Sequence, residues 1–223
     1  MKIKGIFAAL LVLATAHPAA AELWAQKTLA AVESLARKGD ARAQREMCLR
    51  YAKAEGVQMD LQAAYAWCAK AADQGDPIAM RNMGLFYLNG QMVPKDEAQA
   101  VAWFRKAAER GEARAQYNLG VCYYEGRGIA RDDAQAVLWY RRAANQGAEQ
   151  AQRNLGYMLA MGKGTPVDLV QAYAWYAVAA ELGEPKAGHD RDVTAKKLSA
   201  AEIARAKQAA QTWSPKFEME YFD

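Results

Sequence analysis

The sequence predicts an all-α array of stacked helix pairs, on three observations. Residues recur at an offset of 36, apolar side chains within each repeat follow helical spacing, and glycines return at the same turns. Trp67, Trp103, Trp139 and Trp175 keep that offset, as do Gly75, Gly111, Gly147 and Gly183 and the aspartates Asp60, Asp96, Asp132 and Asp168. Ala43, Ala79, Ala115, Ala151 and Ala187 open successive repeats, so four full repeats run over 43–78, 79–114, 115–150 and 151–186. A single unit of this kind cannot bury its apolar face alone, and stacking neighbours builds one continuous core.

Ahead of the repeats, residues 1–21 carry two lysines, a run of about a dozen apolar or small residues and Ala19-Ala20-Ala21, the order of a secretory signal peptide. The apolar run is shorter than the about 20 residues a spanning helix needs, so cleavage after Ala21 is expected rather than a membrane anchor. The expected location is therefore periplasmic or secreted, with no integral membrane segment in the mature chain. Without Lys2 and Lys4 the basic count falls from 29 to 27 against 25 acids. That excess is too small and too evenly spread to recruit nucleic acid or a membrane surface.

Residues 22–42 read as an N-terminal capping helix ending at Gly39, which shares the offset of the other closing glycines. Within a repeat such as 115–150, Ala115, Leu119, Gly120 and Tyr123 lie on one helical arc, followed by the turn Gly-Arg-Gly-Ile-Ala-Arg-Asp. Asp132 stands just ahead of Ala136, Trp139, Tyr140, Ala143 and Ala144, where a carboxylate caps free N–H groups at the positive end of a second helix. Gly147 suits the left-handed residue that closes that helix. Gly84, Gly120 and Gly156, with Ala100, Ala136 and Ala172, let the two helices approach closely, while Phe104, Tyr140 and Tyr176 fill the space beside them. The first repeat departs from this pattern, with Cys48 in the place of the packing glycine and Ala54 in that of the first turn glycine.

After Ala187 the pattern ends, and 187–213 read as C-terminal capping helices, with Ser199 and Glu202 forming a capping box. The tail 214–223 interleaves Phe217, Met219, Tyr221 and Phe222 with Glu218, Glu220 and Asp223. It is either a frayed terminus or a segment that docks on an apolar surface of its own or another chain.

The run Ala-Gln-x-Asn-Leu-Gly-x-x-Tyr-x-x-Gly-x-Gly-Ile, then Asp-x-x-x-Ala-x-x-Trp-Tyr-x-x-Ala-Ala-x-x-Gly, covers 43–186 and resembles the Sel-one-like repeat, a relative of the tetratricopeptide repeat. The resemblance implies an α/α right-handed superhelical solenoid of four 36-residue helix-turn-helix repeats, acting as a protein-interaction scaffold. In bacteria such proteins are often exported and tied to envelope signalling, secretion or host contact. The resemblance also implies an enzymatic alternative, because a few cysteine-rich members of the family are described as binding or weakly hydrolysing β-lactams. A β-lactam or peptidoglycan-fragment binding or hydrolysing protein is that alternative, although this chain lacks their cysteine pair in every repeat.

In an exporting context the cysteines can pair. Cys48 and Cys68 take the positions of the packing glycine and the facing aromatic in the other repeats, and both change in the same repeat. A Cys48–Cys68 disulfide is the expected outcome, two buried thiols the alternative. Cys122 is left over, as a packed small apolar side chain or an occasional intermolecular link.

Little else in the chain carries chemistry. The mature sequence has His189 as its one histidine and three serines, Ser34, Ser199 and Ser214, with no spacing for a triad or a metal set. Gly126-Arg127-Gly128 and Gly162-Lys163-Gly164 repeat at turn positions without the Lys-Ser/Thr ending of a phosphate loop. A non-catalytic monomer without cofactor or metal is expected.

The resemblance places the first helices on the concave face, and their positions off the packing arc form a candidate partner groove. These are Arg45 and Leu49; Arg81, Leu85 and Leu88; Tyr117, Val121 and Tyr124; then Arg153 and Tyr157. Two readings stay open for this row. The arginines either pair with acids across repeats, or their guanidinium forks, beside exposed aromatics, receive a protein or peptide segment bearing acidic groups.

Overall fold

The computed structural model describes residues 27–213. The predicted signal peptide, the start of the predicted first helix at 22–26 and the tail 214–223 lie outside the described residues. Among the described residues there are eleven helices and no strand: α1 (Leu29–Arg37), α2 (Ala41–Lys53), α3 (Leu61–Asp73), α4 (Pro77–Asn89), α5 (Glu97–Glu109), α6 (Ala113–Glu125), α7 (Asp133–Asn145), α8 (Glu149–Met161), α9 (Leu169–Glu181), α10 (Ala187–Ala195) and α11 (Ala200–Trp213).

The chain divides into two compact units, Met1–Ala79 and Met80–Asp223. In the first, α1 packs on α2 and α2 on α3, around buried Val32, Ala36, Ala43 and Met47. In the second, each helix from α5 to α9 packs on the next, and α9 also receives α10 and α11. Its main core joins Tyr140, Leu155, Met158, Trp175 and Tyr176 with a series of fully buried alanines. This stacking of consecutive helix pairs is that of a repeat solenoid.

The recurring aspartates do what their position suggests. Asp60, Asp96, Asp132 and Asp168 have extended backbones, and each accepts a hydrogen bond of 2.8–2.9 Å from the backbone N–H three residues on. First helices are capped similarly, by Asp40, Asp76 and Glu112, whereas Ala148 ahead of α8 has no side chain to do so. The expected capping box also forms, with Glu202 accepting from Ser199 at 2.7–2.8 Å.

The first repeat keeps this geometry despite its substitutions. Ala54 takes a left-handed φ of 59°, where Gly126 and Gly162 have 72° and 65°, at a cost of about 1–2 kcal/mol for a residue with a Cβ. A Cβ placed on Gly84, Gly120 or Gly156 would come within 2.5, 2.7 or 2.8 Å of the rings of Phe104, Tyr140 or Tyr176. In the first repeat Cys48 and Cys68 fill those two positions and are joined as a disulfide, with Cα atoms 5.1 Å apart.

A buried glutamine rung links three of the four first helices to the helix before them. The side-chain amides of Gln44, Gln116 and Gln152 each donate, at 3.1 Å, to the carbonyls of Ala36, Ala108 and Ala144. Gln74 and Gln146 then donate to the free oxygens of Gln44 and Gln116 at 2.7 and 2.8 Å. In the second repeat both members differ, as Met80 and Arg110. In the fourth only the donor has changed, to Leu182, which leaves the fully buried Gln152 Oε1 without a partner among the described residues. A Leu182→Gln variant is expected to gain about 1–2 kcal/mol by satisfying that acceptor. Urea unfolding would measure this, and an unchanged midpoint would count against the rung.

The tryptophans show a second regularity. Lys70, Lys106 and Arg142 place their cations 4.5, 4.3 and 4.6 Å from the ring centroids of Trp67, Trp103 and Trp139. In the fourth repeat that cation is replaced by Val178, and the indole of Trp213 stacks on Trp175 instead, at 4.4 Å and 15°. The last helix is thus held by an aromatic pair where earlier repeats use a cation over a ring.

Candidate partner-binding site

The ten candidate residues lie on first helices, and each unit holds its own set. In the first unit, Arg45 on α2 donates to Asp76 at 2.8 Å, and Leu49 is half-buried nearby in sequence. In the second, Arg81 on α4 lies 3.8 Å from Glu112 and donates to Asn82 at 3.1 Å. Burial depresses the pKa of the Arg81 guanidinium, an effect the nearby Glu112 charge opposes. Arg153 on α8 donates to Asp190 at 2.7 Å and lies 3.6 Å from Glu184.

Asp76, Glu112 and Glu184 occupy the same position of the first, second and fourth repeats, so each arginine of the row reaches the acid near the end of its own repeat. Where the arginine becomes Tyr117, that acid becomes Ala148. Tyr117 instead sets its ring 6.0 Å from Tyr140, and burial raises the pKa of its phenol. Of the two readings left open by the sequence, the geometry therefore gives the three arginines acidic partners inside the fold. The pairs are partly to largely shielded, so the cost of desolvating the charges offsets much of their attraction and they fix spacing more than they stabilise.

The apolar members behave differently. Leu85, Leu88, Val121 and Tyr124 are half-buried, whereas Tyr157 is 38% exposed. Tyr124, at the end of α6, and Tyr157, in the middle of α8, meet edge to face with centroids 6.4 Å apart. Lys163, in the turn after α8, donates to the Tyr124 hydroxyl at 3.0 Å and lies 5.1 and 5.0 Å from the two ring centroids. The Tyr124 hydrogen bond is the main cause of a raised Lys163 pKa, and the Lys163 contact is the main cause of a lowered Tyr157 pKa. The ammonium stays charged throughout the neutral range.

Within its own repeat nothing in the sequence marks Lys163, because Gly162-Lys163-Gly164 reads as a turn. Comparison between repeats supplies the missing signal. At the matching turn positions Lys53 faces Glu55 at 3.5 Å and Arg127 faces Glu125 at 3.1 Å, while Asn89 and Gln91 are neutral. In the fourth repeat the acid has become Met161, and Lys163 has no carboxylate within ion-pair distance among the described residues. Asp133 feels its charge but is held by Arg131 through two hydrogen bonds of 2.8 and 2.9 Å. Two aromatic walls and an unmatched cation can take a carboxylate with an apolar side chain packed beside it.

Residues 41–76, 77–112, 113–147 and 149–184 match the Sel1 repeat model. A protective antigen of uropathogenic Escherichia coli displaying an SLR fold is 34% identical over 86% of the chain, with a TM-score of 0.76. The chain spans 43% of the length of that antigen. A Sel1 repeat protein from Oxalobacter formigenes is 31% identical over 78% of the chain and 74% of its own, with a TM-score of 0.67. No curated protein matches the chain significantly.

Proposed function

The chain belongs to the Sel1 repeat family, whose members serve in general as protein-interaction scaffolds, and from that premise we propose that it is a non-catalytic adaptor or regulator of the bacterial envelope. It holds a protein or peptide segment with acidic groups against the first-helix face of its repeats. The observation that carries this reading is the Tyr124–Tyr157–Lys163 cluster, which joins exposed aromatic surface to a cation that no acid of the described residues neutralises. The Cys48–Cys68 disulfide supports an oxidising compartment, and no helix among the described residues is long and apolar enough to cross a membrane.

The β-lactam alternative gains nothing from the geometry. His189 is exposed on α10, and Cys122 is buried, its pKa pushed up to about 11 by desolvation, so it is held as a thiol rather than a thiolate.

Charge reversal at Lys163 separates recognition from folding better than reversal in the arginine row, because Arg81 and Arg153 have acidic partners. Lys163→Glu and Tyr157→Ala are expected to weaken binding of a purified partner by about tenfold, the equivalent of one charge-assisted hydrogen bond. Their melting temperatures should match that of the parent. The partner would be captured from envelope extract, purified, and titrated by calorimetry. Unchanged affinity in both variants would exclude this face as the site.

A further inference from the structure

We propose that the patch around Lys163 is the docking site of the chain's own C-terminal segment, Ser214–Asp223. This rests on the reading of that face as a binding surface and adds that its resting occupant is the chain itself.

The patch is larger than the cation and two rings. Met161 lies one helical turn after Tyr157 and is 56% exposed. Val167, 60% exposed, places a methyl over Gly162, 2.8 Å from where that residue would carry a Cβ. Tyr157, Met161 and Val167 thus add exposed apolar surface along the end of α8 and the turn that carries Lys163, in the one repeat whose turn charge has lost its acid.

The segment that follows α11 has the complementary chemistry. It places Glu218, Glu220 and Asp223 against a single lysine, Lys216, and alternates them with Phe217, Met219, Tyr221 and Phe222. An extended segment of this pattern can present carboxylates to a cation while neighbouring aromatics cover apolar side chains. Its starting point is held on the repeat that carries Lys163. Trp213 is stacked on Trp175, in the same repeat as Lys163, and it packs against the same core cluster as Tyr124. Crossing one helix pair requires about 20 Å, two helix diameters, and ten extended residues reach roughly 30 Å.

Tethering makes even a weak contact sufficient. A contact with a Kd of about 0.1 mM between separate molecules is made roughly tenfold more often than not at the effective concentration of about 1 mM that a short linker provides. Any external partner of the patch would then have to displace the segment first, so the effect of Lys163→Glu on partner affinity is read with Glu218→Gln, Glu220→Gln and Asp223→Asn in place in both proteins, where no segment competes.

Hydrogen exchange on the chain extending to Asp223 tests this. In the parent, the amides of 216–223 should exchange about tenfold more slowly than in an unstructured peptide of the same sequence. That protection should vanish in Lys163→Glu and in the triple variant Glu218→Gln, Glu220→Gln, Asp223→Asn. Exchange in α8 and α9 should be the same in all three proteins. A tail that exchanges at the free-peptide rate in the parent would overturn the proposal, as would protection that survives Lys163→Glu. Protection that disappears on dilution would assign the patch to the tail of a second copy and overturn it equally. An unprotected tail together with partner binding that depends on Lys163 would sink self-docking while leaving the scaffold reading in place. A protected tail with partner binding indifferent to Lys163 would do the reverse.

Discussion

Replacing the disulfide by Cys48→Ala and Cys68→Ala is expected to lower the stability of the Met1–Ala79 unit by about 3 kcal/mol, the loop-closure entropy of a 20-residue separation. Both cysteines are 0–1% exposed, so a reductant reaches them only after local opening, and the variants test the bond more directly than reduction. The double variant Cys48→Gly, Cys68→Tyr rebuilds the pair found in the other repeats. It should recover about 2 kcal/mol of that loss by burying an aromatic side chain where two alanines leave space. Urea unfolding of the three proteins checks this. Stability in a repeat array is a sum of local terms, so the alanine variant should develop an early transition of its own. An unchanged transition in the alanine variant would mean that the bond constrains nothing.

Much of the fold was legible in the sequence because its causes are local and recur. The aspartate caps, the closing glycines and the glycine–aromatic contacts each need one residue type at one position of the period, so the offset of 36 exposed them together. The Cys48–Cys68 bond was legible for the same reason, as a simultaneous departure from a repeated pair.

The candidate site was less legible because its decisive features are differences between repeats. Arg45, Arg81 and Arg153 look like a recognition row until their acids are located at the far end of the same repeats. The exchange of Arg for Tyr117 together with acid for Ala148 carried that information in the sequence. Lys163 follows the same logic in reverse, since a turn lysine becomes distinctive only when Met161 stands in the place of Glu125. The meeting of Tyr124 with Tyr157 could not be read from spacing, because it joins side chains of neighbouring repeats at different positions of the period.

The close approach of α6 and α7 gives the most discriminating expectation, because it predicts a change of sign. Alanine in place of glycine within a helix ordinarily gains about 1 kcal/mol through helix propensity. At Gly120 the new methyl would sit 2.7 Å from the ring of Tyr140, which is 1% exposed and has Tyr117 packed 6.0 Å away. The ring has little room to yield, so overpacking of about 3 kcal/mol should outweigh the propensity gain and leave Gly120→Ala about 2 kcal/mol less stable. Tyr140→Ala alone should cost about 4 kcal/mol for the buried ring and the cavity it leaves. In that background the obstruction is gone, and adding Gly120→Ala should stabilise by about 1 kcal/mol. The coupling between the two positions is then about 3 kcal/mol, at the upper end for residues in contact. Urea unfolding of the four proteins measures it. Additive effects would show that the helices do not depend on glycine to come this close, and the same explanation would then fail for Gly84 and Gly156.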